Sequence, residues 1–166
     1  MIRIAITGPE SSGKTSLASA LAEKLGVVWV PEYARNYLME RGGNYSREDL
    51  DKIARGQFES WNMQSDQDFL ISDTEMVVMK VWSEFKYGSS SHTINSLLHN
   101  QDFDHYFLCR PDIPWEDDPL RENPDQRDQL FTLYVHELES LGVSFSIVEG
   151  NLEERIEFCL KVLTDR

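Results

Sequence analysis

The chain has 166 residues, 40% of them hydrophobic and 27% charged, and this composition fits one globular domain spanning residues 1–166. Its net charge of −13 at pH 7 would repel a polyanion, so nucleic acid is excluded as the main partner, although a small nucleotide can still bind at a local site. No apolar stretch approaches the ~20 residues of a membrane span, and the short apolar start leads directly into a glycine loop, so we expect a cytoplasmic protein without a signal peptide or membrane partner.

Hydrophobic periodicity and turn residues predict strands that alternate with helices along the chain. Strands are predicted at residues 2–7, 27–30, 68–73, 106–109 and 143–148. Helices are predicted at residues 14–25, 33–40, 47 to about 65, 74–87, 93–100, 127–141 and 153–163, with a loop rich in Pro and Asp at 110–123. Because this alternation favours parallel pairing, we expect a five-stranded parallel sheet between two helix layers, an α/β fold of the three-layer α/β/α type.

A phosphate-binding loop follows the first predicted strand. Residues 8–15 match the pattern GxxxxGKT in full, with a strand before it and a helix after it, as in P-loop NTPases. The glycines let successive N–H groups face phosphate oxygens, and the helix adds its positive N-terminal end. Lys14 would reach the β- and γ-phosphates, and Thr15 would ligate Mg²⁺. The predicted nucleotide contacts of this loop are Gly8, Glu10, Ser11, Ser12, Gly13, Lys14, Thr15 and Ser16.

Asp73 ends the third predicted strand, where a P-loop protein needs an acid to hold the Mg²⁺ shell. It also precedes a helix, so an N-cap role is the alternative. The NKxD guanine motif of GTPases is absent from the sequence, and an AAA-type motor would need more chain and an oligomer interface. The sequence therefore favours ATP with Mg²⁺ and a kinase of a small metabolite, with a regulatory P-loop ATPase as the alternative.

A lid is predicted at residues 110–127, because this stretch follows the fourth strand and is bracketed by arginines. Arg121 and Arg127 would grip phosphates and stabilise the transferred group, and Arg110 would stack on or near the adenine. Solvated surface charge is the alternative for all three arginines.

The acceptor hydroxyl needs a carboxylate, and Glu32 follows the second strand at the edge of the sheet where ligands bind. Arg35 lies three residues further on, on the same helix face, where it could steady the substrate or a phosphate. An ordinary ion pair between these two residues at a helix start is the alternative. Asp73 is the rival base and could instead bind a ribose hydroxyl.

Four aromatic residues are candidates for a substrate slot. Tyr33 adjoins the proposed base, and Trp115 stands in an otherwise polar loop, where it could contact the lid or the ligand. For Trp61 and Trp82, packing in the core is the favoured interpretation.

Four motifs occur in an order that is typical of one family: GPESSGKT at 8–15, EYAR at 32–35, ISDTE at 71–75 and PWEDDPLR at 114–121. With them, nearly the whole chain resembles the ribosylnicotinamide kinase domain of NadR-type proteins, within the wider P-loop nucleoside and nucleotide kinase group. The four motifs together are far more specific than the P-loop alone.

The resemblance implies a thymidylate-kinase-like fold with strand order 2-3-1-4-5 and an adenine site bordered by residues 149–155, including Asn151. It implies ATP-dependent phosphorylation of the 5′-hydroxyl of nicotinamide riboside to nicotinamide mononucleotide, a step of NAD salvage. Pro31 stands where some members carry an aromatic that can pack on the nicotinamide ring, so another nucleoside or metabolite stays open as the acceptor. The adenylyltransferase and DNA-binding domains of NadR-type proteins are not expected within 166 residues, and a homo-oligomer is compatible with the sequence.

Overall fold

The computed structural model of the protein describes residues 1–63 and 66–165. Its sheet has five parallel strands in the order β2-β3-β1-β4-β5. The strands are β1 (Ile2–Thr7), β2 (Trp29–Val30), β3 (Phe69–Asp73), β4 (His105–Cys109) and β5 (Phe145–Val148). The helices are α1 (Lys14–Leu25), α2 (Tyr33–Glu40), α3 (Arg47–Trp61), α4 (Met76–Tyr87), α5 (His92–Asn100), α6 (Arg127–Leu141) and α7 (Leu152–Thr164).

Two hydrophobic clusters fill the space on the two faces of the sheet. Because successive side chains of a strand point to opposite faces, Ile4 and Ile6 of β1 belong to one cluster and Ala5 to the other. The first cluster joins the sheet to α1 and α7, and the second joins it to α2, α3, α4, α5 and α6. The predicted three-layer arrangement and the strand order 2-3-1-4-5 are both confirmed.

The start of α4 differs from the prediction, which placed it at residue 74. Thr74 has a φ of 80°, outside the range of a right-handed helix, so the helix cannot include it. The N-cap is Glu75, whose side chain accepts a hydrogen bond from the Val77 N–H at 2.6 Å. The alternative of an Asp73 cap is therefore wrong, and Asp73 is left for another role.

Other boundaries move by a few residues. The second and fifth strands are shorter than predicted, and the Val28 N–H bonds the Gln67 side chain at 2.5 Å instead of joining the sheet. Helix α3 ends at Trp61, and the predicted end near Ser65 falls outside the described residues. Among the described residues, no helix is long and apolar enough to cross a bilayer.

The carboxyl ends of all five parallel strands point the same way, so the loops that follow the strands lie at one edge of the sheet. Strand β1 lies between β3 and β4, so the chain order reverses at β1, and this is where ligands bind in open α/β sheets. The phosphate loop, the β2–α2 turn, the end of β3 and the predicted lid therefore meet at one site.

Candidate active site

The phosphate loop passes so close to β4 that only glycine fits at its start. Gly8 has a φ of 135°, and a Cβ added to it would lie 2.8 Å from the carbonyl oxygen of Cys109. Gly13 has a φ of 85° and serves as the N-cap of α1 without a side-chain hydrogen bond to the first turn. The first N–H groups of α1 are thus left without a side-chain cap at the end of the loop, which is the arrangement that binds anions.

Lys14 lies across the phosphate loop. Its Nζ donates to the carbonyl oxygen of Pro9 at 2.8 Å, and the Ser12 hydroxyl donates to the same oxygen at 2.7 Å. The loop is therefore held closed by its own side chains, with the ammonium group at the position where a phosphate would arrive.

Thr15 and Asp73 meet across the sheet edge, as predicted for a magnesium site. The Thr15 hydroxyl donates to Oδ2 of Asp73 at 2.6 Å. Oδ1 of Asp73 and the Thr74 hydroxyl are buried, and neither makes a hydrogen bond of good geometry within residues 1–63 and 66–165. Burial raises the pKa of Asp73, while Lys14 and the Thr15 hydroxyl oppose that shift.

These two residues fit Mg²⁺ because this ion binds through one or two protein groups together with the phosphates of a substrate. The described part of the chain contains no cluster of three or more His, Cys, Asp or Glu that would form a cage of protein ligands alone. The Thr15 hydroxyl and the Asp73 carboxylate would be the protein ligands, and phosphate oxygens and waters would fill the other positions of the ion.

Glu32 presents a carboxylate to the cleft without a hydrogen-bond partner among the described residues. It is the N-cap of α2, but its side chain makes no capping bond. Burial and the nearby Asp73 carboxylate raise its pKa, while Lys14 and Arg35 oppose the shift. A carboxylate with a raised pKa and no fixed partner is suited to accept a proton.

Arg35 pairs with Asp118 of the predicted lid rather than with Glu32. Its Nη2 lies 2.5 Å from Oδ2 of Asp118, and 48% of the Arg35 side chain is exposed. Hydrogen bonding to Asp118 raises the pKa of the guanidinium, so it stays charged. The pair connects α2 to the lid, and Arg35 also lines the cleft.

The predicted lid contains no helix or strand from residue 110 to residue 126, and its last residue, Arg127, begins α6. The lid folds onto the phosphate loop. The Glu116 N–H donates to the Ser11 hydroxyl at 3.0 Å. The Glu10 carboxylate accepts the N–H groups of Glu122 and Asn123, with shortest distances of 3.1 and 3.0 Å. Glu10, predicted as a nucleotide contact, is therefore also the anchor of the lid.

The lid arginines Arg121 and Arg127 occupy different positions. Arg121 lines the cleft, and its side chain donates to the Glu116 carbonyl. Arg127 donates to the carbonyl oxygens of Ser11 and Ile113, both at 2.9 Å, and so ties the phosphate loop to the lid. The centroid of the Trp115 ring lies 5.9 Å from the Arg121 guanidinium and 5.7 Å from the Arg127 guanidinium, and Trp115 does not line the cleft.

Two residues predicted at the adenine lie outside the lining of this cleft. Arg110 forms an ion pair with Glu149 at 2.9 Å and stacks at 4.9 Å over the ring of Phe131. The Asn151 side chain caps α7 by accepting the Glu154 N–H at 3.0 Å. Their predicted contacts with the nucleotide stay predictions.

The aromatic candidates separate into three environments. The Tyr33 ring is 40% exposed and packs over Gly56, where any Cβ would collide with it, so it does not line the cleft. Trp61 is buried and donates to the Ser72 hydroxyl at 2.7 Å, which confirms the prediction of core packing. Trp82 is partly buried and packs against the core, as predicted, and its side chain also lines the cleft.

The cleft has a volume of about 510 Å³, within the range of small-molecule sites. One end is the phosphate loop, and the other is largely apolar. The spacing of its α4 residues is that of one helix face, but sequence alone could not distinguish a face toward the core from a face toward a cleft. The apolar lining residues are Ala34, Leu38, Val78, Val81, Trp82, Phe85, Leu130 and Tyr134.

Arg155 ends the segment that the resemblance places beside the adenine, but no role in holding the loops was predicted for it. It is 2% exposed and donates to the carbonyl oxygens of Ser12, Arg110 and Gly150 at 2.6, 2.9 and 2.9 Å. It also pairs with Asp112 of the lid. Its position on the buried face of α7 was the available signal, since a fully buried arginine requires partners.

A family profile described as an AAA domain matches residues 3–155. The chain belongs to this family. Among curated proteins, this AAA-domain chain is similar to the trifunctional NAD biosynthesis/regulator protein NadR of Escherichia coli strain K12, with 28% identity over 173 residues. The alignment covers 98% of this chain and 42% of that relative, so the chain spans less than half the length of the curated protein it matches.

Solved structures show the same fold. A crystal structure of NadR protein in complex with NR superposes with a TM-score of 0.74 at 18% identity, covering 90% of this chain and 46% of that one. A deoxyadenosine kinase from M. mycoides superposes with a TM-score of 0.72 at 14% identity, covering 99% and 100% of the two chains. The AAA-domain chain therefore has the fold of P-loop nucleoside kinases, and its resemblance to NadR is confirmed in both sequence and structure.

Proposed function

We propose that this AAA-domain chain is an ATP- and Mg²⁺-dependent kinase of a small metabolite, with nicotinamide riboside as the first acceptor to test. The observation that carries the proposal is a single cleft with a phosphate loop at one end, an apolar pocket at the other and the Glu32 carboxylate on its wall. A regulatory ATPase would need only the first of these three parts.

The phosphate end supports ATP as the phosphoryl donor. The loop offers backbone N–H groups and the Lys14 ammonium, and Arg121 faces the same cleft from the lid. Thr15 and Asp73 would hold Mg²⁺, which supplies positive charge to the nucleotide phosphates when bound. Arg127 is bonded to two carbonyl oxygens, so we assign it to holding the lid rather than to the transferred group.

Glu32 is the better of the two candidate bases. Asp73 is 1% exposed and already accepts the Thr15 hydroxyl, whereas Glu32 faces the cleft and has no hydrogen-bond partner in the part of the chain that the structure describes. The acceptor hydroxyl oxygen attacks the γ-phosphorus in line, the bond from that phosphorus to the bridging oxygen breaks, and ADP leaves. Glu32 takes the hydroxyl proton, and Lys14 stabilises the charge on the transferred group.

The apolar end supports an acceptor with a planar base. The side chains from α2, α4 and α6 in this part of the cleft would bury the faces of an aromatic ring. The similarity to NadR, a protein crystallised with NR, makes nicotinamide riboside the first choice, and another nucleoside is the second candidate because a deoxyadenosine kinase shares the fold.

The test is product analysis by mass spectrometry after incubating the protein with MgATP and a panel of nucleosides that includes nicotinamide riboside. We expect nicotinamide mononucleotide from the wild type and from Lys24→Ala, an exposed lysine at the other end of α1, and none from Lys14→Ala. Phosphorylation of a different nucleoside would keep the kinase and change its substrate. Failure to phosphorylate any acceptor in the panel would refute the proposal.

A further inference from the structure

A polar cluster lies at the C-terminal end of α4, and three of its four residues line the cleft. It consists of Tyr45, Trp82, Lys86 and Glu122, and we call it the distal cluster. The Tyr45 hydroxyl donates to the two carboxylate oxygens of Glu122 at 2.8 and 2.9 Å and accepts from Nε1 of Trp82 at 2.9 Å. Nζ of Lys86 lies 2.5 Å from the same hydroxyl and 3.0 Å from Oε1 of Glu122. The distal cluster thus joins α4 to the lid.

The distance along α4 explains which part of a ligand would reach the distal cluster. Helix α4 begins at Met76, directly after the strand end that carries Asp73, and Lys86 follows about 15 Å along its axis at the usual rise per residue. Between these points the helix lines the cleft with Val78, Val81 and Phe85, which are apolar. A nucleoside with its ribose hydroxyl near Glu32 would therefore turn the outer edge of its base toward the distal cluster.

The charges of the distal cluster favour some chemical groups over others at the outer edge of a bound base. Lys86 and Glu122 both line the cleft, and they neutralise each other at 3.0 Å. Burial raises the pKa of Tyr45 to about 12, so its hydroxyl stays neutral. An uncharged amide can donate to Glu122 and accept from Lys86, because it has both kinds of group. A carboxylate would be attracted to Lys86 and repelled by Glu122.

We propose that Lys86 and Glu122 determine acceptor specificity by favouring a base with a neutral carboxamide edge over one with a carboxylate edge. This inference rests on the proposed function, since it requires a nucleoside acceptor in the cleft. Glu122 also carries the N–H that binds Glu10 of the phosphate loop, so contact with the correct base edge supports lid closure at the reacting end.

The experiment compares kcat/KM for nicotinamide riboside and for nicotinic acid riboside, which differ only in that edge. Glu122→Gln leaves Lys86 without its counter-charge, so the amide-to-acid ratio should fall by about tenfold, mainly through a lower KM for the acid. Lys86→Gln leaves Glu122 unpaired, so the ratio should rise by about tenfold. The double variant should return toward the wild-type ratio.

The matched control is Glu137→Gln, which breaks an ion pair between α4 and α6. Lys80 of α4 pairs with Glu137 at 2.5 Å, and neither residue lines the cleft. We expect this variant to leave the amide-to-acid ratio within about twofold of the wild type, because the pair lies outside the lining of the cleft.

The outcomes separate the inference from the proposed function. If both distal-cluster variants lower kcat/KM equally for the two nucleosides, the cluster only supports the lid and the inference is refuted, while the kinase stands. If the wild type neither phosphorylates the two nucleosides nor binds them in calorimetric titration with an ATP analogue, the proposed acceptor is wrong and the inference fails with it.

Discussion

Arg155 is expected to hold the phosphate loop in shape, so its removal should lower both stability and nucleotide affinity. Its guanidinium donates to the carbonyl oxygens of Ser12, Arg110 and Gly150 and pairs with Asp112. Replacement by methionine keeps much of the side-chain volume but removes every donor. Three carbonyl oxygens would lose the guanidinium as their donor, and Asp112 would lose its ion pair while keeping the Gly150 N–H.

The size of the effect follows from these contacts. An unsatisfied buried acceptor costs about 1–3 kcal/mol, and loss of one member of a buried ion pair costs about 3–5 kcal/mol. Asp112 is 28% exposed, so water can replace part of what its carboxylate loses. We therefore expect Arg155→Met to lower the free energy of unfolding by about 3–5 kcal/mol, well short of the full sum.

Urea unfolding followed by circular dichroism measures this loss, and calorimetric titration with MgATP measures the affinity. Lys161→Met is the control, because Lys161 is exposed on the same helix, and its effect should stay within about 0.5 kcal/mol. We expect Arg155→Met to weaken MgATP binding as well, since Ser12 belongs to the phosphate loop. A stability loss below about 1 kcal/mol would refute this reasoning about Arg155.

Three further changes test other parts of the structure. Burial raises the pKa of Glu32 above its ordinary 4.5. Because a base must be ionised to accept a proton, kcat should rise with pH through a midpoint above 4.5, and Glu32→Gln should lose most activity. A midpoint at or below 4.5 would contradict the assignment of Glu32 as the base. The hydrogen bond from Tyr37 lowers the pKa of Asp49 from 3.8 to about 2. The ionised Asp49 carboxylate therefore stabilises the fold above pH 3.8, and this stabilisation is lost as the pH falls toward 2. Urea unfolding at a series of pH values should show this loss in the wild type and not in Asp49→Asn. Asp118→Asn removes the ionic partner of Arg35, whose side chain is 48% exposed, so KM should change by less than about fivefold. A hundredfold loss of kcat/KM in steady-state kinetics would mean that Asp118 contacts a substrate.

The part of the site built on backbone geometry could be predicted from the sequence. The GxxxxGKT pattern requires a strand before it and a helix after it, and both were visible as local periodicity. Asp73 followed from the parallel sheet, because the carboxyl ends of neighbouring strands share one edge. These predictions depend on short stretches of chain whose local pattern already specifies their geometry.

The parts that depend on tertiary packing could not be predicted in this way. Trp82 and its neighbours on α4 have the spacing of a helix face, and that spacing is the same whether the face meets the core or a cleft. In the sequence Arg155 is one charged residue of an amphipathic helix, and only the tertiary fold brings the carbonyl oxygens of three loops to its guanidinium. The start of α4 depends on the positive φ of Thr74, which a threonine rarely adopts without support from the surrounding structure.

The central claim is that the bound nucleotide gives its phosphoryl group to an acceptor hydroxyl and not to water. The most direct test is the molar ratio of nicotinamide mononucleotide to ADP formed from MgATP and nicotinamide riboside, measured by chromatography with and without the nucleoside. The account predicts a ratio near one and only a small fraction of that ADP when the nucleoside is omitted. Equal ADP formation in both reactions, with no phosphorylated nucleoside, would contradict it and identify the protein as a P-loop ATPase.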